Sequence, residues 1–419
     1  MHPWQARRRK CRQKIQLRFD KDNMAGIRFV PGNQITLLEN GETYFPVMEA
    51  ALDRAKHEIF LISYIFQNDT IGRRIADVLK RAALRGVKTC VLIDGFGSDN
   101  LPETMVADLN AAGVMVMKFR PGISPWTFRR RRLRRLHRKI VIVDQTAAFV
   151  GGINILDDFD TPDQPSPRYD YAVHVEGPLV RDILVSTQRL WSRVIQTRLR
   201  IRPRFSTRDR DQDRQAVFPE SGGRMRAAFL ARDNIRHRRD IEDAYMQAIE
   251  QAQVEIILAN AYFFPGSKFR RALVDAAGRG VRVVLFLQGK KEYRLLYYAS
   301  KALYGSFLDA GIQIHEYHNS LMHAKVAVID EQWSTVGSSN LDPFSLLLSL
   351  EANVVVDDKK FAGTLKRSLE KAMAAGACQI RPNRWKRQSI RLRMVSWLCY
   401  GLVRFMTGMT GYAPGKDSG

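Results

Sequence analysis

One eighteen-residue pattern occurs twice in this chain, and that duplication limits the folds open to it more than any other feature. The first copy runs from His137 to Asn154 (HRKIVIVDQTAAFVGGIN) and the second from His323 to Asn340 (HAKVAVIDEQWSTVGSSN). Both read His, any residue, Lys, four residues, Asp, six residues, Gly, a small residue, any residue, Asn. A single short match would carry little weight. Two gapless matches, each enclosing an apolar run, imply two copies of one structural unit.

The residues of each copy suit phosphate chemistry. Lys139-Ile140-Val141-Ile142-Val143 is apolar and mostly β-branched, which predicts a buried strand. Side chains alternate faces along a strand, so His137 and Lys139 point the same way. A neutral imidazole can attack phosphorus, and an ammonium beside it can hold a phosphoryl oxygen. Asp144 ends the strand, Gln145-Thr146-Ala147 turns, and Ala148-Phe149-Val150 returns. Gly151-Gly152 lets the backbone approach a ligand or another strand closely, and Asn154 supplies an amide donor. The second copy repeats this with Val326 to Asp330 and Gly337-Ser338-Ser339-Asn340. A lone buried His is usually structural, and a lone Lys usually snorkels to water. Duplication changes that balance. Facing copies would gather two His, two Lys and two Asn around one phosphate-sized centre.

The surrounding chain repeats as well. Tyr44–Ala55, Ile71–Leu84 and Leu101–Ala112 read as helices between strands at Glu58–Tyr64, Val87–Ile93 and Val114–Met117. In the second half Ile241–Ala252 is a helix and Val254–Asn260 a strand. Arg279-Gly280-Val281-Arg282 echoes Arg85-Gly86-Val87-Lys88, and Ala310-Gly311-Ile312 echoes Ala112-Gly113-Val114. The alternating β/α order implies an α/β fold of two similar lobes, each a mostly parallel mixed sheet flanked by helices, with the active site between them. The expected divisions are a basic extension (1–40), a first lobe (41–204), a polar linker (205–225), a second lobe (226–380) and a basic amphipathic tail (381–419). A further strand follows each motif, and each opens with a carboxylate: Asp170 and Glu351. A catalytic His needs a partner on its other ring nitrogen. The expectation is Asp170 for His137 and Glu351 for His323, against the plainer reading of both as strand-end charges.

The two segments resemble the paired HxKxxxxD motifs of the phospholipase D superfamily, in spacing, in duplication and in the trailing G-[GS]-x-N. The resemblance covers about residues 40 to 380. It implies a catalytic set of His137, Lys139, Asp144, His323, Lys325 and Asp330, the two Asp being mainly structural or electrostatic. One His would form a phosphohistidine and the other would protonate the leaving alcohol, with His137 as nucleophile in the family's usual order. Asn154 and Asn340 would join the lysines on the substrate phosphate. No metal and no cofactor are implied. Within the superfamily, the length and the wording RRLHRKIVIVD, VGGIN and DYAVHVEGP look most like bacterial cardiolipin synthases of the B-type subgroup, without N-terminal transmembrane helices. Those enzymes transfer a phosphatidyl group to phosphatidylglycerol and release glycerol. A phospholipase D-type hydrolase and a nucleic-acid phosphodiesterase are the alternatives.

Charge bears on that choice. There are 67 Lys+Arg against 43 Asp+Glu, a formal net charge of +24, which calls for a polyanionic partner. No groove-binding motif or set of stacking aromatics favours nucleic acid. Anionic phospholipids, phosphatidylglycerol and cardiolipin, are the expected partners. Arg129, Arg130, Arg131 and Arg132, with Arg134 and Arg135, crowd the approach to His137 and suit contact with lipid headgroups. In the tail, Ser389, Arg393, Ser396, Tyr400, Arg404 and Thr407 form one polar helical stripe among apolar residues including Trp397. Such a helix suits the plane of an anionic bilayer or a dock on the protein core, and Trp397 and Arg404 are the expected membrane contacts. No segment reaches the ~18 apolar residues of a spanning helix. The basic cluster at Arg7 to Lys10 has no apolar region after it and is not a signal peptide. Cys11, Cys90, Cys378 and Cys399 are scattered, as in a reducing compartment. Peripheral attachment to the cytoplasmic face of a bacterial inner membrane is therefore expected.

Overall fold

The structure is a computed structural model that describes residues 27–121, 134–159, 167–199, 222–233, 237–342, 349–387 and 389–409. The first lobe comprises β1 (Val30–Glu39), α1 (Asn40–Arg54), β2 (Glu58–Ser63), α2 (Thr70–Leu84), β3 (Lys88–Asp94), α3 (Glu103–Ala111), β4 (Met115–Phe119), β5 (Arg135–Leu136), β6 (Ile140–Val143), β7 (Ala147–Gly151), β8 (Tyr171–Glu176) and α4 (Leu179–Leu199). The second comprises β9 (Met225–Arg232), α5 (Asp240–Gln251), β10 (Glu255–Asn260), α6 (Ser267–Gly278), β11 (Arg282–Gln288), α7 (Arg294–Lys301), α8 (Tyr304–Asp309), β12 (Gln313–Tyr317), β13 (Lys325–Ile329), β14 (Trp333–Gly337), β15 (Ser349–Asp357) and α9 (Lys359–Gly376). Then follow β16 (Ala377–Gln379), α10 (Pro382–Lys386) and α11 (Ile390–Met409).

Local chemistry marks the repeat. The Asp69 side chain caps α2 by accepting the Gly72 N–H at 2.7 Å. Helices α2 and α6 both stop at Arg-Gly, where Gly86 and Gly280 take φ of +87° and +85°, a conformation that terminates a helix at little cost only with glycine. The next residue starts the approach to the inner strand in both lobes.

The strands form one continuous sheet in the order β16-β12-β11-β10-β13-β14-β15-β9-β1-β8-β7-β6-β2-β3-β4. Read outward from the β9–β1 junction, the two halves are the same series of equivalent strands. The sheet is mixed, but the expected mostly parallel character holds only for β2-β3-β4 and β10-β11-β12. Strands β6, β7, β8 and β1, and their counterparts, are antiparallel. The cause is the motif itself, because its short turn joins two strands as a hairpin, and a hairpin is antiparallel. That turn has two successive residues at positive φ, Asp144 and Gln145 in one lobe and Asp330 and Glu331 in the other, the backbone of a type I′ turn.

The boundary expected at residue 40 is corrected. Val30–Glu39 is no extension but the central strand β1, paired with β8 on one side and β9 on the other. Its sequence, VPGNQITLLE, opens with Pro, Gly and a buried Asn and shows little apolar alternation. Backbone pairing on both sides and Asn33, whose Oδ1 accepts the Leu179 N–H at 2.8 Å, hold it instead. Most of the expected linker lies outside the described residues, and its last residue, Met225, opens β9. Helices α4 and α9 cover one face of the sheet over a core drawn from both lobes. Each also packs across the junction, α4 against β9 and α9 against β1. The opposite face is covered lobe by lobe, by α1 to α3 and by α5 to α8.

The motif aspartates serve this architecture. Asp144 accepts the N–H groups of Lys56, His57 and Glu58 at 2.7–3.0 Å, and Asp330 those of Gln253, Val254 and Glu255 at 2.8–2.9 Å. Each carboxylate stitches the I′ turn to the start of the neighbouring strand. Asp144→Ala is expected to lower stability by about 2–3 kcal/mol in chemical unfolding, because three backbone donors lose a charged acceptor; a change below about 0.5 kcal/mol would contradict this role.

Candidate active site

The two histidines are positioned by the opposite lobe. Strand β5 pairs in parallel with β15, and the His137 N–H extends the ladder by donating to Leu350 O at 3.0 Å. In the other half Tyr169 bridges to Met322, and the His323 N–H donates to Tyr169 O at 2.8 Å. The residue after each accepting carbonyl is the carboxylate. His137 Nδ1 therefore meets Glu351 Oε2 at 2.9 Å, and His323 Nδ1 meets Asp170 Oδ2 at 2.6 Å. The expected partners, Asp170 for His137 and Glu351 for His323, are thus corrected: both are exchanged. The physical reason is the pairing of β5 with β15, which carries His137 to Glu351, and the Tyr169–Met322 bridge, which carries His323 to Asp170. A carboxylate only accepts, so each Nδ1 donates and each Nε2 lone pair is left for the cavity.

The histidine rings lie 6.4 Å apart, centroid to centroid. Both lysines are buried. Lys139 Nζ donates to His137 O at 2.9 Å, Lys325 Nζ donates to His323 O, and Lys325 Nζ lies 3.8 Å from Asp170 Oδ2. Burial lowers the pKa of Lys139 to about 7, against the pull of Glu351, and that of Lys325 to about 8, against Asp170. Burial, joined by Lys325, lowers His323 to about 3, and burial also lowers His137. Burial works to raise Asp170, but Lys325, His323 and the Tyr171 N–H outweigh it and hold the carboxylate ionised. The ring of Tyr64 sits 5.0 Å from His137 and 5.3 Å from the Lys139 ammonium.

The small residues after each motif are there for the carboxylates. A Cβ on Gly152 would lie 2.3 Å from Asp170 Oδ1. Its counterpart Ser338 instead donates through Oγ to Glu351 Oε2 at 2.5 Å. Both histidines, Asn154 and Asn340 line one cavity of about 350 Å³ between the lobes. Asn154 Oδ1 accepts the Ile65 N–H at 3.2 Å, which leaves its amide donors for a ligand. Asp144 and Asp330, at the far ends of their strands, do not line it. Arg129 to Arg132 lie outside the described residues.

Several wall residues escape sequence reasoning. Tyr64, Asp158, Arg168, Tyr262, Glu292, Tyr293 and Asp342 line the cavity without belonging to the repeated pattern; Arg135, expected near His137, lines it too. Arg138 occupies the variable position of the first motif, and it is buried. Its guanidinium donates to Glu351 O, Arg232 O and Ser186 Oγ at 3.0–3.1 Å, fixing the strand that brings Glu351 to His137. A basic residue inside an apolar motif was the available signal.

Comparison with known proteins agrees with this geometry. Residues 48–158 and 245–373 match the family model described as cardiolipin synthase, PLD-like domain. The chain is 39% identical over 385 residues to cardiolipin synthase B of Shigella flexneri, covering 91% of each protein. It is 38% identical over 393 residues to cardiolipin synthase B of Salmonella typhimurium, again covering 91% of each. The crystal structure of phosphatidylserine synthase from Haemophilus influenzae superposes with a TM-score of 0.68 at 14% identity, over 95% of this chain and 98% of that one; this likeness is one of fold.

An ammonium form exists below its folded pKa and is lost above it. Sulfate, which keeps its charge across the range, is therefore expected to bind at least tenfold more weakly at pH 9 than at pH 6 at constant ionic strength, as Lys139 and Lys325 discharge near pH 7 and 8. Equal affinity by titration calorimetry at both pH values would contradict the lowered lysines.

Proposed function

The chain belongs to the phospholipase D-like cardiolipin synthase family, and from that premise we propose a reaction by way of a phosphohistidine on one of the two clamped histidines. It is a cardiolipin synthase-like phosphatidyltransferase. The observation that carries the chemistry is the pair of imidazoles, 6.4 Å apart, each tied through Nδ1 to a buried carboxylate. His137 Nε2 attacks the phosphorus of a phospholipid in line, and the bond to the headgroup oxygen breaks. His323, protonated, gives its proton to that leaving oxygen. In the empty site His323 is neutral; the charge of an entering phosphodiester favours its imidazolium form. A hydroxyl of phosphatidylglycerol then loses its proton to His323 and attacks phosphorus, which frees His137 and forms cardiolipin. With phosphatidylglycerol as donor the other product is glycerol. Lys139, Lys325 and Asn154 neutralise the phosphoryl oxygens.

We also propose peripheral attachment to the cytoplasmic face of the inner membrane, through α11. No helix among the described residues is long and apolar enough to cross a membrane. Helix α11 is amphipathic as expected, but the middle of its polar stripe faces inward beside Val403: Ser396 and Val403 are buried and Tyr400 packs on Phe264, while Arg393 and Arg404 stay exposed. Ile390, Met394, Leu398 and Phe405 point outward, 65–75% exposed, with Trp397 and Leu402 beside them. Trp397 and Arg404, seven residues apart, share the border of this ridge. Half-insertion of six such side chains supplies on the order of 5 kcal/mol, and each nearby Arg or Lys adds about 1 kcal/mol on an anionic surface. Helix α11 packs on α7, whose Leu296 lines the cavity, so the ridge is carried beside the site.

Mass spectrometry of lipid products tests the reaction. Cardiolipin is expected from phosphatidylglycerol in mixed micelles, and either His137→Ala or His323→Ala is expected to lower turnover at least a thousandfold; phosphatidic acid as the only product would make the protein a hydrolase, and near-wild-type activity of either variant would end the two-histidine mechanism. For α11, Leu398→Glu/Phe405→Glu is expected to weaken co-flotation with phosphatidylglycerol vesicles at least tenfold without changing the melting temperature. Undiminished flotation would contradict the membrane face.

A further inference from the structure

The two lobes share a backbone plan, but the walls they present to the cavity differ. The register of β2 on β6 pairs Ile62 with Ile140, and that of β10 on β13 pairs Asn260 with Lys325. Counted from the motif lysines, Ile65 after β2 and Tyr262 after β10 are therefore equivalent positions. A second equivalence comes from the parallel bridges Phe66–Ile155 and Phe263–Leu341. The residue after each bridge is Leu156 in the first lobe and Asp342 in the second. All four of these wall residues reach the cavity or its edge. At both pairs of equivalent positions an aliphatic side chain of the first lobe is replaced by a polar one of the second.

Two further groups join this polar wall. Glu292, on the loop between β11 and α7, lines the cavity and accepts a hydrogen bond from the Tyr262 hydroxyl. Asn340 is only 4% exposed, and its Oδ1 has no hydrogen-bond partner among the described residues, whereas Oδ1 of its counterpart Asn154 accepts the Ile65 N–H. A buried carbonyl oxygen without a donor is costly unless a ligand supplies one. The wall is thus rich in acceptors: two carboxylates, an amide oxygen and a phenol whose proton is already committed. Acceptors of this kind reward a ligand that brings several O–H donors, and they repel phosphate. In a protein of net charge +24 that binds anionic lipids, carboxylates at the site have no use in holding the phosphate itself.

We propose that Tyr262, Glu292, Asp342 and Asn340 form a subsite for the neighbouring hydroxyls of a glycerol headgroup, so that the second-lobe wall selects polyol over simple alcohol. The proposal rests on the transferase reading and deepens it. It accounts for the difference at the two equivalent pairs: the alcohol that leaves or enters lies on the side of Tyr262 and Asp342, by His323, the histidine that exchanges its proton, and the side of Ile65 and Leu156 takes the phosphatidyl group.

The test is an alcohol competition. Wild-type protein in mixed micelles of phosphatidylglycerol receives equimolar deuterated glycerol and 1-propanol, and mass spectrometry reads the ratio of deuterated phosphatidylglycerol to phosphatidylpropanol. The ratio comes from one incubation, so an overall loss of activity in a variant cancels. The wild type is expected to favour glycerol at least tenfold. Glu292→Gln, an exposed position, and Asp342→Leu, which installs the first-lobe residue, are each expected to reduce that preference at least threefold, as is Tyr262→Phe. An unchanged ratio in all three variants would overturn the subsite while leaving the transferase intact. In a parallel incubation with equimolar deuterated glycerol and ethanolamine, a wild type that prefers ethanolamine would make the wall an ammonium site and overturn the polyol assignment. A wild type that yields no lipid product would overturn the transferase reading, and the subsite with it.

Discussion

The structure depends on an exchange of carboxylates between the lobes. Glu351 of the second lobe holds the histidine of the first, and Asp170 of the first holds the histidine of the second. Neither lobe alone has an oriented imidazole, so the site exists only when the two are joined. The rest of the fold enforces that join. Strands β1 and β9 fuse two sheets into one, α4 and α9 pack across the seam, and Arg138 ties the strand bearing Glu351 to the one bearing His137.

This arrangement places charge where burial opposes it. Both histidines and Asp170 line a cavity of about 350 Å³, with Lys139, Lys325 and Glu351 buried behind them, and burial lowers the pKa of both lysines and both histidines. An isolated buried ion is strongly unfavourable. Here the carboxylates are hydrogen-bonded to the imidazoles and the ammonium groups to the histidines' own carbonyls, so the site is pre-aimed for an entering anion. The same low dielectric strengthens its hold on a phosphodiester when one enters.

Much of this was legible in the sequence, because the repeat carries its own geometry. The strands β6, β7, β13 and β14, the same-side placement of His and Lys, and the downstream carboxylates all follow from spacing. The crossing of the carboxylates was not legible. It depends on β5, a two-residue strand in an Arg-rich stretch, and on the single Tyr169–Met322 bridge, pairings that no local pattern announces. Strand β1 was missed because a strand paired on both sides is held by its backbone and can begin Val-Pro-Gly-Asn. The polar wall of Tyr262 and Glu292 lies at positions the repeat does not share. Helix α11 was legible as amphipathic, but hydrophobic periodicity cannot say which face meets the protein, and here the side of Ser396, Tyr400 and Val403 does.

The exchanged carboxylates are the central claim, and nitrogen NMR of the histidine rings reaches them most directly. With His137 and His323 assigned by single substitution in protein carrying labelled imidazoles, Glu351→Gln is expected to shift the Nδ1 resonance and tautomer balance of His137 and leave His323 in place, while Asp170→Asn does the reverse. A Glu351→Gln shift confined to His323 would mean that each lobe orients its own histidine, and the account of the site as a shared product of two lobes would fail.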